Sequence, residues 1–312
     1  MDVARRDLRG RLLRRRAAAS LVGAVLVTGA LGVELTGRGG QFSAALDAAL
    51  VWILLLTIAL QGVSLLARTE AWNVRVRATG ATVTRRVLFR AAGLGYLVSL
   101  LNGSLGVAVR IASLRHAAPQ TSPPVPALLA AEVPIISVGV MLTAAFSFTL
   151  IAALGAPWWA PVIAVVVALT VMAGLRHVAD TRHVGLWNGL AVMHRGRGRM
   201  IAFVLLGIGA QVARNWLVFR GIGVHVSIFD AIALLIAIFT IGQLPIGPSL
   251  GAAAAVLILG SHGVATAAAA GVLLTATATI GSLCYASWAV GDRLIARQRP
   301  IPREAALAPS LP

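Results

Sequence analysis

Glu132 lies in LLAAEVPIISVGV, a stretch otherwise free of charge. An ionised carboxylate in apolar surroundings is costly, so it pairs with a cation or faces water. Arg110 and Arg115, at the end of LVSLLNGSLGVAVRIASLR, are the cations within reach in sequence. Two readings of Glu132 stand side by side. It is a counter-ion or proton-coupled group whose pKa rises on desolvation, or it sits near a span's end and reaches the interface. Arg214 poses the same question in GIGAQVARNWLVF. Gln211 and Asn215 fall on one helical stripe with Arg214 beside them. That set suits a clamp for a lipid headgroup or carboxylate, and it equally suits an interfacial anchor with Trp216 as the belt aromatic. Arg68 and Trp72 occupy the corresponding place in an earlier segment. Arg75, Arg77, Arg85, Arg86 and Arg90 then form a basic strip with Glu70 as the nearest acid. Such a strip attracts anionic lipid by about 1 kcal/mol per residue, and it also serves to fix topology.

Other chemistry has little support. Six histidines are scattered over loop regions without ligand spacing, so no metal is expected. There is no phosphate-binding loop, dinucleotide fingerprint or nucleophile elbow, and no acid–base pair that points to catalysis or a cofactor. The single cysteine, Cys284, lies in an apolar run and allows no disulfide within the chain. Asp230 reads as a helix-start residue.

The elements that must hold these residues follow from composition. Of 312 residues 58% are hydrophobic and only 12% charged, about half the charge of a soluble domain. Apolar segments fall at about 17–34, 44–67, 87–109, 125–153, 157–175, 200–219, 228–260 and 264–290. Several match the roughly 20 residues that cross a bilayer. Helix is expected throughout, because backbone groups in lipid must be satisfied within the segment. The formal net charge is +17 and every basic residue is arginine. Guanidinium suits bidentate phosphate contacts, and arginine usage also fits a GC-rich coding sequence. Since the arginines lie between apolar spans, orientation and anionic headgroups account for them better than nucleic acid does.

Charge placement sets the topology. If all eight segments cross, Arg110, Arg115 and the arginines of 176–199 fall outside, against the positive-inside tendency. If 87–109 and 228–260 instead dip in and return, nearly all basic clusters become cytoplasmic. The expected fold is therefore an all-α polytopic membrane protein of about six transmembrane helices plus two re-entrant helical hairpins. Residues 1–16 form a basic cytoplasmic N-terminus, and 17–34 a retained first span rather than a cleaved signal. One transmembrane domain covers 17–291, and 292–312 form a disordered cytoplasmic tail.

The hairpins need breaks. Asn102-Gly103-Ser104-Leu105-Gly106 supplies the first, with Gly103 and Gly106 expected to allow the turn. FTIGQLPIGPSLG supplies the second: Pro245 and Pro248 stop the leg and Gly247 and Gly251 allow reversal, with Gln243 beside them. The two regions look like copies. Trp72 matches Trp216, Gly80 matches Gly223, Thr84 matches Ser227 and Asn102 matches Pro245, at an offset of 143–144 residues. Repeat one covers about 44–153 and repeat two about 200–291, entering from opposite faces as an inverted repeat, a build that recurs in transporters.

These residues resemble the lysylphosphatidylglycerol synthase-type transmembrane family, also called the flippase-like domain family. The resemblance rests on Ala-Trp72-Asn-Val-Arg75, on Asn102 to Arg110, on Glu132, on Pro245 to Gly251 and on Gly263-Val264 onward, and covers about 44–291. The chain departs from the family pattern where apolar residues precede Arg110, where alanines follow Gly251, and where Val133-Pro134 follows the span glutamate. No soluble aminoacyl-transfer domain is expected within the sequence. The resemblance implies a flippase-like, non-enzymatic protein of a bacterial inner membrane, both termini cytoplasmic. It would translocate, or help translocate, an anionic phospholipid or lipid-linked molecule between leaflets. The lipid-binding residues would be Arg68, Trp72, Arg75, Asn102, Gly103, Gly106, Arg110, Glu132, Arg214, Gln243, Pro245, Gly247, Pro248 and Gly251. A non-catalytic subunit working with a partner enzyme, and an ion or small-solute transporter, are the alternatives.

Overall fold

The computed structural model describes residues 38–47, 50–100, 103–155, 157–181, 196–241, 250–260 and 263–298. The described chain is all-helical, with no strand among the described residues. Its elements are α1 (Gly39–Asp47), α2 (Val51–Ala78), α3 (Arg85–Ser99), α4 (Gly103–Ala117), α5 (Val125–Ala145), α6 (Thr149–Leu154), α7 (Trp159–Thr181), α8 (Arg197–Gly221), α9 (Ile228–Ile241), α10 (Leu250–Leu259) and α11 (Val264–Gln298). Four of them, α2, α5, α8 and α11, are long and apolar enough to cross a membrane. The four short helices α3, α4, α9 and α10 have 15, 15, 14 and 10 residues, fewer than the roughly 20 that a crossing needs. The expected first span 17–34 and the second break, with Gln243, Pro245, Gly247 and Pro248, lie outside the described residues, as does Asn102.

Long helix, two short helices, long helix: the order α2–α3–α4–α5 returns as α8–α9–α10–α11. The local details repeat as well. Past α2, the amide of Gly80 donates to Arg77 O at 3.0 Å; past α8, that of Gly223 donates to Arg220 O at 3.1 Å. Both glycines are left-handed, at φ 83° and 79°, a region that costs other residues roughly 1–2 kcal/mol. The start of α9 is a reciprocal cap: Ser227 N–H donates to Asp230 Oδ2 (2.9 Å), and Asp230 N–H donates to Ser227 Oγ (3.2 Å). Asp230 thus has its expected helix-start role.

The most extensive helix pair is α2 with α8. A methyl on Gly196 would meet Val74, one on Gly207 would meet Ser64 and Ala67, and one on Gly221 would meet Ile53. As one number rises the other falls, so the two helices run antiparallel along their length. Where they cross, Ser64 Oγ donates to Gly207 O at 3.0 Å. These residues are 143 apart, the offset of the repeat, so each half meets its own counterpart there.

Glycines bring the remaining helices into close contact. A Cβ on Gly95 would stand 2.8 Å from Gly106 O, and one on Gly106 would stand 2.6 Å from Ser99 Cβ, which locks α3 against α4. Gly93 lies as tightly against Ala289 of α11, and Gly281 of α11 against Gln61 of α2. Gly106 therefore lies inside α4 and serves packing rather than the turn expected of it, while Gly103 begins that helix.

Three helices outrun the apolar segments. Polar stretches were expected from 68, 110 and 291, yet α2 continues to Ala78, α4 to Ala117 and α11 to Gln298. The cause is pairing inside the protein. Glu70 holds Arg85, Arg110 holds Glu132, and Asp292 holds Arg86 and Arg90. Residues 292–298 are thus helix rather than tail. The outer surface is apolar instead: on α7, Trp159, Val162, Ile163, Val166 and Val167 are all exposed, the face a hydrocarbon solvent would cover.

Candidate functional site

Two charged centres are sealed inside the bundle. In the first, α4 presents Arg110 and α5 presents Glu132, and the guanidinium donates through Nη2 to Glu132 Oε1. Only 4% of the arginine and 6% of the glutamate side chain is exposed. The guanidinium lies over Trp72 of α2, 4.5 Å from the ring centroid, and that tryptophan is fully buried. Arg110 is thus neutralised on one side and stacked on another. Of the two readings of Glu132, the counter-ion is the one observed. Nearby, Tyr285 O–H donates to Thr69 Oγ1 (3.3 Å), which approaches Tyr96 Oη at 3.4 Å, a buried hydroxyl chain tying α11 to α2 and α3.

The second centre lies on the α2–α8 seam. Gln211 Nε2 donates to Gln61 Oε1 at 2.9 Å and to Ser64 Oγ at 3.1 Å. Arg214 also donates to Gln61 Oε1. Arg214 is buried, with no carboxylate partner among the described residues. It is therefore not an interfacial residue reaching water.

An open site adjoins the first centre. A cavity of about 320 Å³ is lined by Glu70, Asn73, Val74 and Arg77 of α2, Arg85 of α3, and Gly196 and Arg199 at the start of α8. Glu70 accepts from Asn73 Nδ2 at 2.9 Å and pairs with Arg85. Three arginines and one glutamate thus line the cavity, and the N-terminus of a 25-residue helix adds partial positive charge. Such a lining has the donors that an oxyanion would take. Along the same helices runs an apolar groove of about 470 Å³, lined by Ile58, Gly62, Leu66, Phe89, Gly281, Cys284, Tyr285 and Trp288. Ile58, Gly62, Leu66 and Glu70 succeed one another at four-residue spacing on α2, and Arg85 and Phe89 do so on α3. The groove therefore leads toward the arginine cavity.

The residues singled out in sequence divide accordingly. Trp72, Arg110 and Glu132 come together. Arg75 is buried nearby on α2, whereas Arg68 is exposed and joins neither centre. Arg214 is buried on the seam, and Gly251 lies in the first turn of α10. The basic strip is partly neutralised, since Arg85, Arg86 and Arg90 pair with Glu70 and Asp292. Gln61, Ser64, Asn73, Arg199 and Asp292 were missed. Gln61 carried a signal, being the one amide in VWILLLTIALQGVSLL.

Membrane-length apolar helices with exposed apolar faces define a helical multi-pass membrane protein. Comparison with protein-family models, curated proteins and solved structures finds no match in any of the three.

Proposed function

We propose that this protein translocates, or assists in translocating, an anionic phospholipid or lipid-linked molecule between leaflets, as its flippase-like resemblance implies. The observation that carries the reading is an arginine-lined cavity and a separate apolar groove that follow one another along α2 and α3. An amphiphile needs both: guanidinium donors for its phosphate and an apolar wall for its chain. The proposed architecture is six spans and two re-entrant hairpins, α3–α4 and α9–α10, in an inverted repeat within a bacterial inner membrane. Its support is the antiparallel α2–α8 pair, whose counterparts Ser64 and Gly207 touch. Two units related by a two-fold axis in the membrane plane meet in this way. In this topology the arginine cavity opens to the cytoplasm and Arg214 lies in the outer half.

The test is lipid movement in proteoliposomes carrying a fluorescent phosphatidylglycerol, with a membrane-impermeant quencher outside. Wild-type vesicles should lose inner-leaflet fluorescence, and Arg77→Ala/Arg199→Ala vesicles should lose it several-fold more slowly. Quenching by wild type no greater than in protein-free vesicles would remove the reading.

A further inference from the structure

Arg214 differs from the other buried charge centres. Arg110 has Glu132, and Asp292 has two arginines. Among the described residues Arg214, 6% exposed, meets the neutral oxygen of Gln61 and no carboxylate, and its Nε–H, like that of Arg110, has no hydrogen-bond partner. The next residue deepens the anomaly: Asn215 is fully buried, and both its amide nitrogen and its amide oxygen lack partners. A guanidinium taken out of water without a counter-ion is costly, and each unmet amide group adds to that cost. Groups this costly are retained where something else completes them.

We propose that Arg214 and Asn215 form a second anion-binding site, distinct from the arginine cavity, for one phosphate-type oxyanion. The oxyanion takes the Arg214 Nε–H and the Asn215 Nδ2–H, and a hydroxyl of the same ligand donates to Asn215 Oδ1. Gln211, Gln61 and Ser64 hold the guanidinium in place by bonding one another at 2.9 and 3.1 Å. Arg199 and Arg214 are 15 residues apart on one helix, about 22 Å along its axis. The site is therefore a separate station on the α2–α8 seam. As the outer station of a lipid path it rests on the function proposed above; as an anion site it stands alone.

The ligand chemistry is shared by inorganic phosphate and by a phosphodiester headgroup, and the experiment separates them. The full chain is melted in detergent with and without inorganic phosphate, and in nanodiscs of phosphatidylglycerol or phosphatidylcholine. Wild type should gain melting temperature with phosphate, if the free ion is the ligand, or with phosphatidylglycerol over phosphatidylcholine, if the headgroup is. In Arg214→Gln and in Asn215→Leu the half-saturating ligand concentration should rise at least roughly tenfold, since charge-assisted hydrogen bonds are lost. In the absence of anion, Arg214→Gln should melt no lower than wild type, because a buried unpaired charge has gone. Arg77→Ala/Arg199→Ala should keep the Arg214-dependent gain. The proposal is overturned if neither anion raises the wild-type melting temperature. It is also overturned if the gain survives in both Arg214→Gln and Asn215→Leu, or vanishes only with Arg77 and Arg199. An Arg214-dependent gain without lipid movement would keep this site and remove translocation; lipid movement without that gain would do the reverse.

Discussion

Glu132→Ala puts the buried ion pair under the most direct strain. With the carboxylate gone, Arg110 stays buried and keeps the face of Trp72, 4.5 Å from its centroid, as its main support. A cation–π contact contributes about 0.5–2 kcal/mol, whereas breaking a buried ion pair from one side costs about 3–5 kcal/mol. The stacking therefore cannot make up the deficit, and a net loss of about 3 kcal/mol is expected. Glu132→Gln keeps an acceptor oxygen but not the charge, and should lose about 1.5–3 kcal/mol, the worth of a charge-assisted bond. Arg110→Leu/Glu132→Leu removes both charges together with both desolvation penalties, and should lie within about 1 kcal/mol of wild type. Unfolding in mixed micelles of rising SDS fraction, followed by tryptophan fluorescence, ranks the chains, and the double-mutant cycle isolates the coupling. Wild-type stability in Glu132→Ala would refute the reasoning. So would a double variant less stable than either single one, because the pair would then not be what each charge is buried against.

Gly281→Ala, whose methyl would stand 2.7 Å from Gln61 Cγ, should lower stability by about 1–3 kcal/mol; Gly139→Ala, with open space around it, should be neutral or stabilising in the same thermal melts. Gly80→Ala and Gly223→Ala should each cost about 1–2 kcal/mol and by similar amounts, since both glycines are left-handed at equivalent positions. Asp292→Asn should loosen the α3–α11 contact, visible as faster amide exchange in the first turns of α3, with most of the effect through Arg90, which is far less exposed than Arg86. In a Cys284→Ala background, Gln120→Cys should react with an impermeant maleimide only from the cytoplasmic side and Arg220→Cys only from the other; labelling of both from one side would defeat the proposed topology.

Much of this site was legible because membrane spans make polar residues conspicuous. Glu132 stood alone in an apolar run, and the nearby Arg110 is its partner. The spacing of Gly80 and Gly223 was legible in sequence, and both adopt the same left-handed conformation. Helix ends were read less well, and for one reason. Hydropathy treats water as the only destination for a charge. Arg110 and Asp292 were accordingly read as lying where apolar segments end, and Glu70 as part of the polar stretch from 68, yet each is bonded inside the protein and its helix runs on. Gly106 was misread because a glycine within a break suggests a turn. Its close contact with Gly95 O comes from the partner helix and leaves no trace in local sequence. Gln61 and Asp292 reach partners about 150 and 200 residues away, which a linear reading does not pair.

The offset that relates the two halves carries over backbone features and not charge. Ser64 and Gly207 meet across it, and Gly80 and Gly223 adopt the same conformation. Yet the position equivalent to Arg214 in α2 is Ala71, fully buried among apolar side chains. The first half buries Arg110 on a short helix and neutralises it with a carboxylate; the second buries Arg214 on a long helix beside amides. Two halves with identical side chains would give an amphiphile equal wells at both membrane faces, and neither orientation would be preferred. Here the wells differ. The end proposed as cytoplasmic has an open cavity lined by three arginines and one glutamate, while the other has the closed Arg214 and the exposed Arg220. An anionic headgroup should therefore load at the first end and be held there more strongly at low ionic strength. On the function proposed above, passage to the second would require the α2–α8 seam to open around Gln61. The frame supplies the symmetry of the two positions, and the unequal charges supply the difference between them.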